Sequence, residues 1–212
     1  MPLPDPTEPF PVTLPDGTRH PGTVFLKPLI DHPRFEVGEY TYASDFDPPS
    51  EDGWAGRLAP YLFPFSREKI VIGKFAQIAH GVRLISSSAN HEMRGPSTYP
   101  FKIFDPDRIM SFQPDTRDIT IGHDVWLGNG VQVLPGAQIG HGVIAGAGAV
   151  IRGTVPDYAI VAGNPAEVIR MRFSEAEIAT LLDIAWWDWP PDRITAAMPL
   201  LEAGEVAALA LA

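Results

Sequence analysis

The sequence contains no cysteine. That removes disulfides, thiolate metal ligands and thiol nucleophiles together. It also lacks any apolar run of the ~18 residues that a membrane-spanning helix needs. The opening stretch "MPLPDPTEPFPVTLPDG" is proline-rich and acidic. It has neither the basic region nor the apolar core of a secretory signal, so the cytoplasm is the expected location and no membrane partner is expected. Basic residues are scarce, with 16 Lys and Arg against 26 Asp and Glu and a formal net charge of −10. An acidic surface without a basic stripe repels phosphate backbones, so nucleic acid is not an expected partner. The histidines are few and widely spaced, which argues against a zinc site and predicts no metal.

What is abundant is glycine and proline, 19 and 23 residues. The glycines are ordered rather than scattered. From Ile121 the chain reads "IGHDVW", "LGNGVQ", "VLPGAQ", "IGHGVI", "AGAGAV", "IRGTVP". The first position is aliphatic or Ala throughout, and the fifth is Val or Ala from Val125 to Val155. Upstream, "IGKFAQ", "IAHGVR" and "LISSSA" keep the same frame from Ile72, with Ser88 at the last fifth position. A period of six is wrong for an α-helix, whose apolar spacings are three and four, and glycine at position two would weaken a helix interior. Short strands joined by tight turns fit the pattern. Position one plugs a core, and three hexads complete a triangular coil stacked on the next at about 4.8 Å. Residues 72–89 would supply about one coil and residues 121–156 about two, with "FEVGEYTY" beginning an earlier one out of phase.

A coiled stack needs its ends covered. "SEAE" at residues 174–177 reads as a capping box opening an amphipathic helix, and a second helix begins near Asp192. Trp186, Trp187 and Trp189 are expected to pack these helices on the coil.

Between Leu84 and Ile121 the frame slips by one residue, and Pro96, Pro100, Pro106 and Pro114 forbid a strand ladder there. The segment of about 90–118 must therefore leave the coil, and long excursions from rigid scaffolds commonly carry function. His91 lies at its base. His80, His123 and His141 instead occupy position three of their hexads, which predicts a solvated corner.

The strings "FLKPLI", "EVGEYTY", "IGKF", "ANHEM", "STYPF", "ITIGHDVWLG", "AGNPA" and "LLDIAWWDWP" occur in one order from about residue 25 to 195. In them the chain resembles the xenobiotic acetyltransferases, the hexapeptide-repeat subfamily of chloramphenicol and streptogramin O-acetyltransferases. The resemblance implies a mainly β fold, a left-handed parallel β-helix with a protruding loop and C-terminal α-helices. The expected organisation is an irregular N-terminal extension over 1–24 that the resemblance does not cover, a β-helix over 25–173 with the loop excursion at about 90–118, and a helical cap over 174–212. The resemblance further implies a homotrimer with sites between adjacent coils, acetyl-CoA as acetyl donor, and a small-molecule hydroxyl as acceptor.

The family's catalytic histidine falls on His91. The chemistry suits that assignment, because an alcohol attacks a thioester poorly until a neutral imidazole takes its proton, a contribution of about 10²–10⁴-fold. The resemblance places Tyr42 in the acceptor pocket, with Asn90 and Met93 flanking the base. Trp126, a family hallmark, is as readily a packing residue. For the pantetheine arm of CoA it points to the small residues Gly128, Gly146, Ala147 and Gly163. For the charged end it points to Arg152, Arg170 and Arg172 with Asn164 and Pro165 of the "GNPA" turn. The chain departs from the family pattern at Ala76–Gln77, at Ala43, at Pro96 and throughout residues 44–69. Those departures lie where the acceptor is shaped, so a sugar or other metabolite hydroxyl is the alternative acceptor. A trimeric scaffold without catalysis is a further alternative. A γ-class carbonic anhydrase is disfavoured because no two histidines lie closer than 11 residues.

Overall fold

The computed structural model describes residues 2–112 and 115–211. Gln113 and Pro114 of the excursion, and the first and last residues of the terminal segments, lie outside the described residues. The chain winds into a left-handed parallel β-helix whose three walls are sheets of seven, five and three strands.

An antiparallel lead-in, β1 (Thr23–Phe25), precedes the first coil, which holds β2 (Phe35–Val37) and β3 (Tyr42–Ser44). Its third side is missing, and the short helix α1 (Trp54–Leu58) packs on the wall below instead, burying Trp54 and Leu58 in the core. Residues 44–69 thus close one end of the hydrophobic interior. The second coil is β4 (Ile70–Ile72), β5 (Gln77–Ile78) and β6 (Arg83–Leu84). After the excursion come β7 (Ile119–Ile121), β8 (Trp126–Leu127) and β9 (Gln132–Val133). Then follow β10 (Gln138–Ile139), β11 (Ile144–Ala145) and β12 (Val150–Ile151). The last coil has β13 (Thr154–Val155) and β14 (Ala159–Ala162), and β15 (Glu167–Met171) turns back antiparallel along its edge.

Positions one and five of the hexads both point inward. Ile72, Leu127, Val133 and Ile151 at position one, and Val82, Val125, Val131 and Ala149 at position five, are all buried. Where position two is glycine, the next coil lies against it: a Cβ on Gly122 would sit 2.8 Å from the carbonyl carbon of Gly140. Position four turns each corner with positive φ, supplied by Gly130 and Gly148 at one corner. At the corner beneath the C-terminal helices, Phe75, Asp124 and Tyr158 take that conformation with φ of 59°, 54° and 56°. Packing of these side chains against the cap offsets the strain: Phe75 lies on Trp186 and Tyr158 edge-on to Phe173.

Three sequence expectations are corrected. The hexad frame puts Val155 at position five, but it pairs with Ile139 in the position-one row, because the corner between β12 and β13 is two residues shorter. Ser88 is not a coil residue; it sits in a 3₁₀ turn, Ser87–Ala89, so the excursion leaves the coil after Ile85. The position-three histidines are half-buried rather than solvated. His123 Nδ1 accepts the Lys74 N–H at 2.8 Å, His141 Nδ1 accepts the His123 N–H at 3.0 Å, and Trp187 stacks on both rings. His80 Nδ1 lies 2.7 Å from Asp45 Oδ1.

The cap begins at α2 (Glu175–Ile184), with both reciprocal bonds of the Ser174–Glu177 capping box present. It continues through α3 (Pro191–Ala203) and α4 (Val206–Leu209). Among the described residues, no helix is long and apolar enough to cross a membrane.

Candidate active site

The excursion leaves and rejoins the coil at one corner, and its two ends are laced together. The Arg117 N–H donates to Ser87 Oγ at 2.9 Å, and the Ser87 hydroxyl donates to the Arg117 carbonyl at 3.3 Å. Lys69 N–H donates to Asp118 Oδ1 at 2.7 Å. His91 projects from this base and is exposed. Its Nδ1 lies 2.9 Å from the Thr98 carbonyl oxygen. A carbonyl only accepts, so Nδ1 carries the proton and Nε2 keeps a free lone pair. That is the tautomer a general base needs.

A cavity of about 730 Å³ opens in front of this imidazole. Asn90, His91 and Met93 form one wall, Leu134–Gly136 and Arg152–Gly153 the coil corner, and Pro165–Glu167 the far side. The catalytic candidate, its two flanking residues, Arg152 and Pro165 therefore share one space. Arg117 and Asp115 also line it, paired through Arg117 Nη2 and Asp115 Oδ2 at 2.7 Å. Sequence reasoning passed over both. The signal was available, since a loop that leaves and re-enters a coil must bring its return end back beside its start.

The other candidates lie elsewhere. Gly128, Gly146, Ala147 and Gly163 with Asn164 follow the strands of the seven-stranded sheet at the adjoining corner. The amides of Gly128 and Gly146 are spent on Ala145 and Val161 carbonyls, whereas the Ala147 N–H has no acceptor among the described residues. A Cβ on Gly128 would lie 2.7 Å from the Ala145 oxygen, so that glycine has a packing reason of its own.

Tyr42 and Arg170 stand on the outer face of the same sheet. Strand register links Tyr42 to Gln77, Trp126, Ile144, Ile160 and Arg170 in one continuous row. Trp126 is 48% exposed there.

Arg172 does not line the cavity in front of His91. Its Nη1 donates to the Gly142 carbonyl at 2.6 Å, and its guanidinium lies over the Tyr158 and Phe173 rings, so it anchors the cap. It also neighbours Asp124 at 3.7 Å. Burial pushes the Asp124 carboxyl up to about 6, with Arg172 and the Gln77 amide opposing. Burial and the neighbouring His141 hold His123 below the usual imidazole range. Among the described residues, no cluster of three or more His, Cys, Asp or Glu could hold a metal ion.

A triangular parallel coil, a loop excursion at one corner and a base-competent histidine in a cavity define a hexapeptide-repeat acyltransferase. Comparison with known proteins agrees. The family described as bacterial transferase hexapeptide (six repeats) matches residues 118–153. A chloramphenicol acetyltransferase of Escherichia coli is 37% identical over 192 residues, covering 87% of this chain and 90% of that protein. One of Agrobacterium fabrum is 37% identical over 196 residues, covering 88% and 90%. A virginiamycin A acetyltransferase of Staphylococcus aureus is 36% identical over 211 residues, covering 96% and 90%. The chain belongs to the hexapeptide-repeat xenobiotic acetyltransferases, and it is an acetyltransferase.

Proposed function

We propose that this enzyme transfers the acetyl group of acetyl-CoA to a hydroxyl of a xenobiotic of the chloramphenicol or streptogramin class, with His91 as general base. The observation that carries the reading is the Nδ1–H contact of His91 to the Thr98 carbonyl, which leaves Nε2 free beside a cavity large enough for a small molecule. The names of the relatives support the acceptor class.

In this reading Nε2 takes the hydroxyl proton as the acceptor oxygen attacks the thioester carbonyl. A C–O bond forms, the C–S bond breaks, and the imidazolium returns the proton to the CoA thiolate. Asn90 and Met93 border the acceptor. Arg152, with Pro165 and Asn164, is suited to the charged end of CoA. The free Ala147 amide and the small residues Gly128, Gly146 and Gly163 suit the pantetheine arm. Tyr42 and Arg170 do not line the cavity in front of His91, and in the proposed homotrimer a second copy supplies them, with the complete site at the interface. A reaction drawing on acetyl-CoA fits the cytoplasm as its location.

The test follows CoA release with a thiol reagent over a panel of hydroxylated antibiotics and sugars. The absence of cysteine leaves no background thiol. Acceptor-dependent release with chloramphenicol or a streptogramin that falls by about 10² or more in His91→Ala supports the reading. Equal turnover in both proteins removes His91 from the mechanism. Release with sugars alone replaces the acceptor class.

A further inference from the structure

Glu68 is an acidic residue only 2% exposed, two residues before the β4 wall. It is not part of the cavity in front of His91. Its Oε1 accepts two hydrogen bonds from a single residue, the N–H and the hydroxyl of Ser88, both at 2.9 Å. The Ser88 hydroxyl has one hydrogen, given to Glu68. The 3.0 Å contact between Ser66 Oγ and Ser88 Oγ is therefore donated by Ser66. Ser66 Oγ in turn accepts the Phe63 N–H at 3.0 Å. The chain of donation runs Phe63, Ser66, Ser88, Glu68 and ends on a buried carboxyl oxygen.

Ser88 is the centre of the 3₁₀ turn that launches the excursion, and that turn closes with the Asn90 N–H donating to the Ser87 carbonyl at 2.9 Å. His91 is the next residue. Beyond the turn, among the described residues, the imidazole is held by one hydrogen bond, to Thr98 within the same exposed loop. The rigid reference for the histidine is thus the turn behind it, and the turn is pinned to the coil by Glu68 on one side and by the Ser87–Arg117 pair on the other. Breaking hydrogen bonds to a buried carboxyl leaves its oxygen desolvated and without a partner, which is costly. A general base displaced by about 1 Å loses on the order of 10²-fold in rate.

We propose that Glu68 is a positioning residue for the acetyl transfer: through Ser88 it fixes the turn that aims His91. The proposal rests on the reading of His91 as base. Glu68→Ala should lower kcat by about 10-fold or more while KM for acetyl-CoA stays within about twofold. Glu68→Gln keeps an acceptor oxygen for Ser88 and should recover most of kcat. Imidazole ¹⁵N spectra, with the His91 signal assigned by its loss in His91→Ala, should show the Nδ1–H tautomer in wild type and in Glu68→Gln. The same spectra should show a tautomer mixture in Glu68→Ala.

If Glu68→Ala does not fold, Ser88→Ala decides the matter. It removes the hydroxyl link and leaves the backbone link, so a smaller kcat loss of about threefold or more supports the proposal. An unchanged kcat in Ser88→Ala, or in a folded Glu68→Ala, overturns it. So does a loss confined to KM, or a failure of Glu68→Gln to recover. Wild-type turnover in His91→Ala is a different result, which ends the base assignment itself.

Discussion

At the scale of single residues, chemistry follows from which atoms are left free. His91 was legible because it alone among the hexad-region histidines falls where the period fails, and its base-competent tautomer then follows from one carbonyl. Asp124 was not legible. In the sequence it is one polar residue in a repeat, and its burial comes from a cap that begins 50 residues later. Its raised carboxyl pKa means the charged form is disfavoured in the folded protein. That contribution to stability is fully present below the ordinary Asp value of about 4 and is lost as pH rises through about 6. Asp124→Asn does not titrate. The unfolding free energy of the variant should gain on wild type by up to about 3 kcal/mol between pH 4 and pH 8, in urea melts at fixed protein concentration. His123 titrates in the opposite sense: its depressed imidazole pKa favours the fold above about pH 6.5, and that is lost on acidification. Taking the difference between the two proteins cancels it. A pH-independent difference would show that folding leaves the Asp124 pKa unshifted.

At the scale of elements, one local rule builds the coil and its failures mark what matters. Position two must be glycine where coils touch backbone to backbone. Gly122→Ala would drive a Cβ to 2.8 Å from the Gly140 backbone, and neither strand can yield without breaking the ladder on both sides. The expected cost is about 1–3 kcal/mol, read as a lower urea midpoint with an unchanged slope. Gly56, in α1 with no atom within 4 Å of its would-be Cβ, is the control, and alanine there should be neutral or stabilising. The strands, the inward positions and the capping box were all legible, since each is set by residues within one hexad or one helical turn. The two-residue shortening before Val155 was not, because Val satisfies position one and position five equally well. Register with Ile139 settles it.

At the scale of the whole molecule, the chain has an outer row of Tyr42, Gln77, Trp126, Ile144, Ile160 and Arg170 on one wall, and His91 at another corner. The proposed trimer brings the two together. Ile144→Asp places a charge in the middle of that row without touching the core, since Ala145 beside it faces inward. Sedimentation should show the variant falling from three copies to one, with acetyl transfer lost alongside although His91 is intact. A variant that remains the size of wild type and fully active would separate the row from assembly and from the site.

The sequence by itself determined the repeat, its inward positions, the cap signals and the place where the repeat breaks. Each of these is written in spacings of six residues or fewer. The tertiary structure alone decided which residues meet across coils. Neighbours there are separated by a full turn plus whatever excursion intervenes, as with Lys74 and His123, which are 49 residues apart. No local spacing encodes that separation. So the histidine ladder under Trp187, the anchoring of Arg172, the row from Tyr42 to Arg170 and the grip of Glu68 on Ser88 emerge only when the coil is closed.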